Sequence, residues 1–80
     1  MPTVLMIKGF RFFFYAEEGN EPVHVHVAKG DGEGKIWLLP EIKVHIFSGF
    51  KPQQQKEIME IIHHNHKLLI NKWNEFFKNK

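Results

Sequence analysis

The chain contains no cysteine. That absence excludes a disulfide framework, a cysteine-ligated zinc site and a thiol nucleophile. No segment approaches the roughly 18 consecutive apolar residues of a membrane span, and no signal peptide opens the sequence. The expectation is a cytoplasmic protein with no membrane partner. No repeat, linker or low-complexity tract is present. Gly30, Gly32 and Gly34 fall between predicted strands rather than opening a helix, so they read as a turn and not as a phosphate-binding loop. No RNP-type motif for RNA is found either. Charge of one sign is also scarce, with 11 basic against 9 acidic residues and a net of +2. That balance permits nucleic-acid contact without demanding it.

What the chain does have is aromatic rings. In 80 residues it carries eight Phe and two Trp, and 42% of the residues are hydrophobic. One domain spanning residues 1–80 is all this length allows, and a single core near this size supplies only a few kcal/mol. So many rings in so small a chain imply either a dense core or rings kept for a partner.

Residues 1–50 read as short strands between turn signals. The runs are Thr3–Ile7, Phe10–Tyr15, Val23–Ala28, Lys35–Leu39 and Ile42–Phe47. Lys8-Gly9 suits a two-residue hairpin turn, Ala16–Glu21 a polar loop, and Lys29–Gly34 a glycine-rich turn. Such short connections favour antiparallel pairing. From Pro52 the apolar period changes from 2 to 3.6, with Ile58, Ile62, Leu69, Trp73 and Phe76 on one stripe. One helix over residues 52–77 would be about 39 Å long, longer than the ~17–20 Å of a typical strand. Part of its apolar surface, at the Trp73–Phe77 end, is therefore expected either to be covered by the twist of the sheet or to reach beyond it toward a homodimer or protein partner. The fold class is α+β, about five antiparallel strands packed on one long C-terminal helix.

Alternation sorts the sheet into two faces. Val23, Val25 and Val27 point one way, and His24, His26 and Ala28 the other. Ile42, Val44 and Ile46 join the valines under the helix, while Lys43, His45 and Phe47 face away. For the most aromatic strand the parity stays open: either Arg11, Phe13 and Tyr15, or Phe10, Phe12 and Phe14, share the histidine face. One helix covers one face, so the histidine face is the candidate functional surface.

His24 and His26 sit about 6.5–7 Å apart along the strand. Three roles fit them. Paired imidazoles can divide general acid and base work near neutrality, with Arg11 steadying a phosphate, which suits metal-independent RNA cleavage. They could instead ligate a divalent metal with His45 as a third ligand. They could also be ordinary polar residues on a half-wet strand. The favoured expectation has no metal and no cofactor, with His24, His26 and Arg11 catalytic. Tyr15, Lys35, Trp37, His45, Asn65 and Trp73 are the candidate binding residues. Rings interleaved with Arg11, Lys35 and Lys43 on an open sheet could stack single-stranded bases. His63, His64 and His66 do not share one helical face. Asn65 lies in the apolar stripe, where a polar group needs a hydrogen-bonding partner.

Several motifs fall together in order: Met1-Pro2-Thr3, RFFFY at Arg11–Tyr15, EPVHVHV at Glu21–Val27, Trp37, Gly49-Phe50, and Asn65, Leu69, Trp73 and Phe76. In this combination the chain resembles a small prokaryotic domain-of-unknown-function family with a histidine-valine-histidine-valine core, over nearly its whole length. Members are often encoded beside a second small uncharacterised domain. The resemblance implies a toxin–antitoxin-like gene pair, with this chain on the toxin side and a small antitoxin-like protein as its partner. The family's motif positions map to Arg11, Tyr15, His24, His26, Trp37, Asn65 and Trp73. Val23 stands where a proline is usual, and Lys51 where a short polar residue is usual, which weakens the expected helix cap. A superficial likeness to histidine-triad nucleotide hydrolases fails, because the next alternating position is Ala28. Two functions are carried forward: a toxin-like protein acting on RNA through its histidine pair, and a non-enzymatic dimeric protein-binding or adaptor module.

Overall fold

A computed structural model describes residues 3–77 of the chain. Met1 and Pro2, which open the family-like pattern, lie outside the described residues. Five antiparallel strands follow one another in space as in sequence: β1 (Thr3–Ile7), β2 (Phe10–Phe13), β3 (His24–Lys29), β4 (Gly32–Trp37) and β5 (Lys43–Ser48). Lys8 and Gly9 make the first hairpin turn with φ of 54° and 81°, the positive values that match the twist of a two-residue hairpin. Glycine meets this requirement freely, and the Lys8 carbonyl is held by Lys29 Nζ at 2.9 Å.

The second hairpin turn is shorter than the glycine spacing suggests. Gly32 and Gly34 belong to β4 rather than to the turn. Their value there is steric. A Cβ on Gly34 would lie 2.8 Å from the Phe47 ring and 3.1 Å from the Ile46 carbonyl oxygen. The missing side chain lets Phe47 lie flat over the strand.

The parity of the aromatic strand is settled by register. Phe12 pairs with Val27, and Phe13 with His26. Phe10, Phe12 and Phe14 therefore enter the core with Val25, Val27, Ile36 and Leu38. Arg11, Phe13 and Tyr15 fall on the histidine side. In β5 the expected alternation does not persist. Lys35 pairs with Ile46 but Ile36 with Val44, so His45 is an extra residue in a bulge. A bulge inverts the parity beyond it. Ile46 thus faces outward at 55% exposure, and Phe47 turns inward against Phe50.

The C-terminal part is two helices, α1 (Pro52–His64) and α2 (His66–Phe77), not one. Pro52 occupies the first turn, where its missing N–H costs nothing. The Lys51 side chain makes no cap hydrogen bond. The Gln54 side chain accepts from the Lys51 N–H at 2.9 Å instead. The break falls at Asn65, with φ −115° and ψ 19°. Its Nδ2 donates to the Ile61 carbonyl at 2.8 Å, an oxygen that also accepts the Asn65 N–H at 3.0 Å, the local back-bonding that a polar residue inside a helix adopts. Asn65 thus finds its partner in its own helix. Its neighbour His66 ties the break to the sheet, Nε2 donating to the Leu38 carbonyl at 2.8 Å.

Beyond the break the apolar stripe keeps Leu69 and Trp73 and ends on Phe77 rather than on Phe76. Ile58, Ile62, Leu69, Trp73 and Phe77 are buried, while Phe76 is 37% exposed. The Trp73–Phe77 end does not overhang the sheet. Trp73 meets Phe14 edge-on at 5.3 Å. No helix of the described residues is long and apolar enough to cross a membrane.

Replacing Gly34 by Ala should cost about 1–3 kcal/mol by overpacking against Phe47. Urea unfolding followed by circular dichroism checks this. An unchanged midpoint would mean that Phe47 moves aside freely.

Candidate functional site: a carboxylate between two histidines

The site begins with where β2 stops. Its last paired residue is Phe13, opposite His26. β3 therefore has no partner from β2 at His24. Trp73 from α2 comes within 4.9 Å of the His24 ring, and Trp37 from β4 within 5.4 Å. The chain between β2 and β3 turns through a 3-10 turn, Ala16–Glu18. Gly19 lets this loop approach α2, since a Cβ there would lie 2.6 Å from the Phe77 ring. Seated in this way, the loop carries Glu18 over β3.

Glu18 is the centre of the site. Its Oε1 lies 2.7 Å from His24 Nε2 and 2.7 Å from His26 Nε2. The other nitrogen of His24, Nδ1, donates to the Pro22 carbonyl at 2.8 Å. His24 is completely buried. The His26 side chain keeps 14% exposure and Glu18 23%. His26 stacks on Phe13 at 5.6 Å and meets Tyr15 at 4.6 Å. Beyond it, Lys35 Nζ donates to Glu21 at 2.6 Å and lies 4.6 Å from the Trp37 ring. A concavity of about 370 Å³ opens here, lined by Tyr15, His26, Glu33, Lys35, Ile46 and Ser48 among others. A larger one of about 530 Å³ lies on α1 beside His63 and His64, away from the cluster.

The site's charges follow from these contacts. Burial pushes the Glu18 carboxyl upward, but hydrogen bonds from His24 and His26 and their nearby charge outweigh it, leaving it below the ordinary 4.5. Burial lowers His26 below the ordinary 6.5, against the opposing pull of Glu18, and His24 and Lys35 push it the same way. Glu18 therefore stays ionised and His26 stays neutral through the neutral range. A neutral imidazole beside a fixed carboxylate can accept a proton or donate an electron pair. Glu18, His24 and His26 are also the described residues grouped closely enough to offer ligand atoms to a metal ion.

The residues singled out in the sequence divide into two groups. His24, His26, Tyr15, Lys35, Trp37 and Trp73 come together around the cluster. Arg11 lies outside it, its guanidinium 4.3 Å over the Phe13 ring and its Nη1 3.4 Å from Thr3 Oγ1. His45 stands on the β5 bulge, 5.3 Å from Trp37, not with the imidazole pair. Asn65 lies in the helix break. Sequence reasoning missed Glu18. The only available signal was an acidic residue in the short polar loop that must return the chain to His24.

The fold and cluster define a small α+β domain with a histidine–carboxylate centre at one end of its sheet. The chain matches the family described as Domain of unknown function (DUF4160) over residues 9–74, and it belongs to that family. No curated protein and no solved structure matches it.

Both shifts make acid destabilising. Where a folded-state pKa is depressed, the unfolded chain binds protons that the folded chain does not, so stability is lost as pH falls. Loss should begin below about 6.5 as the unfolded His26 takes up a proton, and deepen below about 4.5 through Glu18. Thermal melts from pH 7 to pH 4 should fall more steeply in the wild type than in a Glu18→Gln/His26→Gln double variant. Equal slopes would place the acid-sensitive groups elsewhere.

Proposed function

We propose that this protein is the toxin-like member of a two-gene toxin–antitoxin-type module, and that it cleaves RNA at the Glu18–His24–His26 cluster. One observation carries the RNA reading. Beside His26 the open sheet face sets cations against aromatic rings, with Arg11 over Phe13 and Lys35 over Trp37 and Tyr15 38% exposed. The exposed Tyr15 ring can stack on a base, and cations held beside it over Phe13 and Trp37 can meet phosphates, which suits a single-stranded nucleic acid.

The roles follow from exposure. His26 is the imidazole that a substrate can approach, whereas His24 positions Glu18 from within. Lys35, paired with Glu21 at 2.6 Å, meets a phosphate by exchanging that carboxylate for it. The reaction class is transesterification. The 2′-oxygen attacks the adjacent phosphorus, and its proton passes to the cluster. The bond from phosphorus to the 5′-oxygen breaks, and that oxygen takes a proton from water.

Expression of the chain alone should arrest growth, and co-expression of the neighbouring gene's product should relieve the arrest. Purified protein should cut a fluorescent single-stranded RNA and spare the same strand built from 2′-deoxy sugars. His26→Ala should slow cutting by about 100-fold or more while leaving the circular dichroism spectrum intact. A His26→Ala protein that is folded and equally active removes the chemistry from this site.

A second reading, a dimeric binding or adaptor module, draws on a different feature. β5 is an edge strand, and its Val44 and Ile46 are 37% and 55% exposed. An unpaired, apolar edge is a template for another strand. Sedimentation should then reveal a concentration-dependent dimer. A monomer at every concentration would remove the self-pairing form of this reading.

A further inference from the structure

Glu18, His24 and His26 come from two separate segments, the 3-10 turn and β3. Their ligand-type atoms all lie within 4.8 Å of one another. Hydrogen bookkeeping exposes a conflict among them. The Pro22 carbonyl, 2.8 Å from His24 Nδ1, can only accept. Nδ1 must therefore carry a hydrogen. In the neutral ring Nε2 is then a lone pair, and it points at Glu18 Oε1, another acceptor, 2.7 Å away. His26 Nε2 reaches the same oxygen at the same distance. Two acceptors face to face need a positive centre, either a proton on the line between them or a cation to one side, about 2.0–2.1 Å from each.

We propose that Glu18, His24 and His26 bind a divalent transition-metal ion through two imidazole nitrogens and one carboxylate oxygen. Three observations favour an ion. The His24 ring is held from behind by a backbone carbonyl, the outer support that typically orients a ligating histidine. Trp37 and Trp73 close around that ring, so water is excluded as a partner for its Nε2. The other two groups keep 14% and 23% exposure, which leaves an open side for an ion to enter and for further ligands to bind. Imidazole with carboxylate suits zinc, iron or cobalt better than magnesium or calcium, which prefer oxygen alone. A three-ligand site of this kind keeps a coordination position free. Such an ion can polarise a phosphoryl oxygen or lower the pKa of a bound water.

This inference deepens the reading above for the same site and rests on it only for the identity of the substrate. The test contains no RNA, so the two can fail separately. Protein without a purification tag is stripped with a chelator and titrated with Zn(II) or Co(II) alone. One equivalent should bind per chain, and the melting temperature should rise with free-ion concentration. Co(II) should give visible absorption bands, and Mg(II) should do neither. Glu18→Gln and His26→Gln are the variants of choice, since His24 is completely buried. Losing a partner that only supports a ligand costs about 10–100-fold in affinity, so each variant, having lost a ligand, should weaken Zn(II) by more than about 100-fold while remaining folded. His45→Gln should bind as the wild type does. No binding overturns the proposal, as does equal binding by the wild type and both variants. Binding that disappears instead in a His63→Gln/His64→Gln variant also overturns it.

Discussion

The structure depends on the strict alternation of β3. Val25 and Val27 are fully buried beneath the helices, and the same strand turns His24 and His26 to the opposite side. A one-residue slip would send every side chain of the strand to the wrong face. The core and the candidate site therefore share one register. Each buried valine is worth roughly 1.5–3 kcal/mol, so core burial also holds the two imidazoles on the site's side.

The site is completed by what β3 lacks. β2 ends one pleat early, and the gap beside His24 is filled by Trp73 from α2 and by a loop seated on Phe77 through Gly19. A buried imidazole with unmade hydrogen bonds would cost about 1–3 kcal/mol. The loop places an acceptor at each ring nitrogen, the Pro22 carbonyl at Nδ1 and the Glu18 carboxylate at Nε2. No buried side-chain nitrogen or oxygen among the described residues is left without a partner. The aromatic surplus of so small a chain is used in two ways. Phe10, Phe12, Phe14, Trp73 and Phe77 build the core, whereas Phe13, Tyr15 and Trp37 frame the histidines.

The break at Asn65 shows where pattern reading reaches its end. The 3.6-residue period runs through Asn65 without a proline or glycine to interrupt it. A continuous helix of about 39 Å would overhang the sheet. The Asn65 side chain instead bonds the Ile61 carbonyl, and His66 bonds the end of β4. Past them Leu69 and Trp73 stay in the core, and Phe77 rather than Phe76 completes the stripe. The β5 bulge does change the faces, exchanging Ile46 for Phe47. The bulge inverts the faces beyond it, whereas the break at Asn65 interrupts the helix and leaves Leu69 and Trp73 on the core side.

Local periodicity determined the strand count, the antiparallel order, the helical C-terminus, the polar face of β3 and the pairing of His24 with His26. These depend on neighbours one to four residues away, and such spacings are written in the sequence. The partners across the sheet were decided only by the tertiary structure: Glu18 as the third member of the cluster, Trp73 as its wall, Arg11 and His45 as outsiders. Those placements depend on where β2 stops, where β5 bulges and how closely a glycine lets a loop approach a helix. Each is set by packing between segments distant in the chain, which no local spacing encodes.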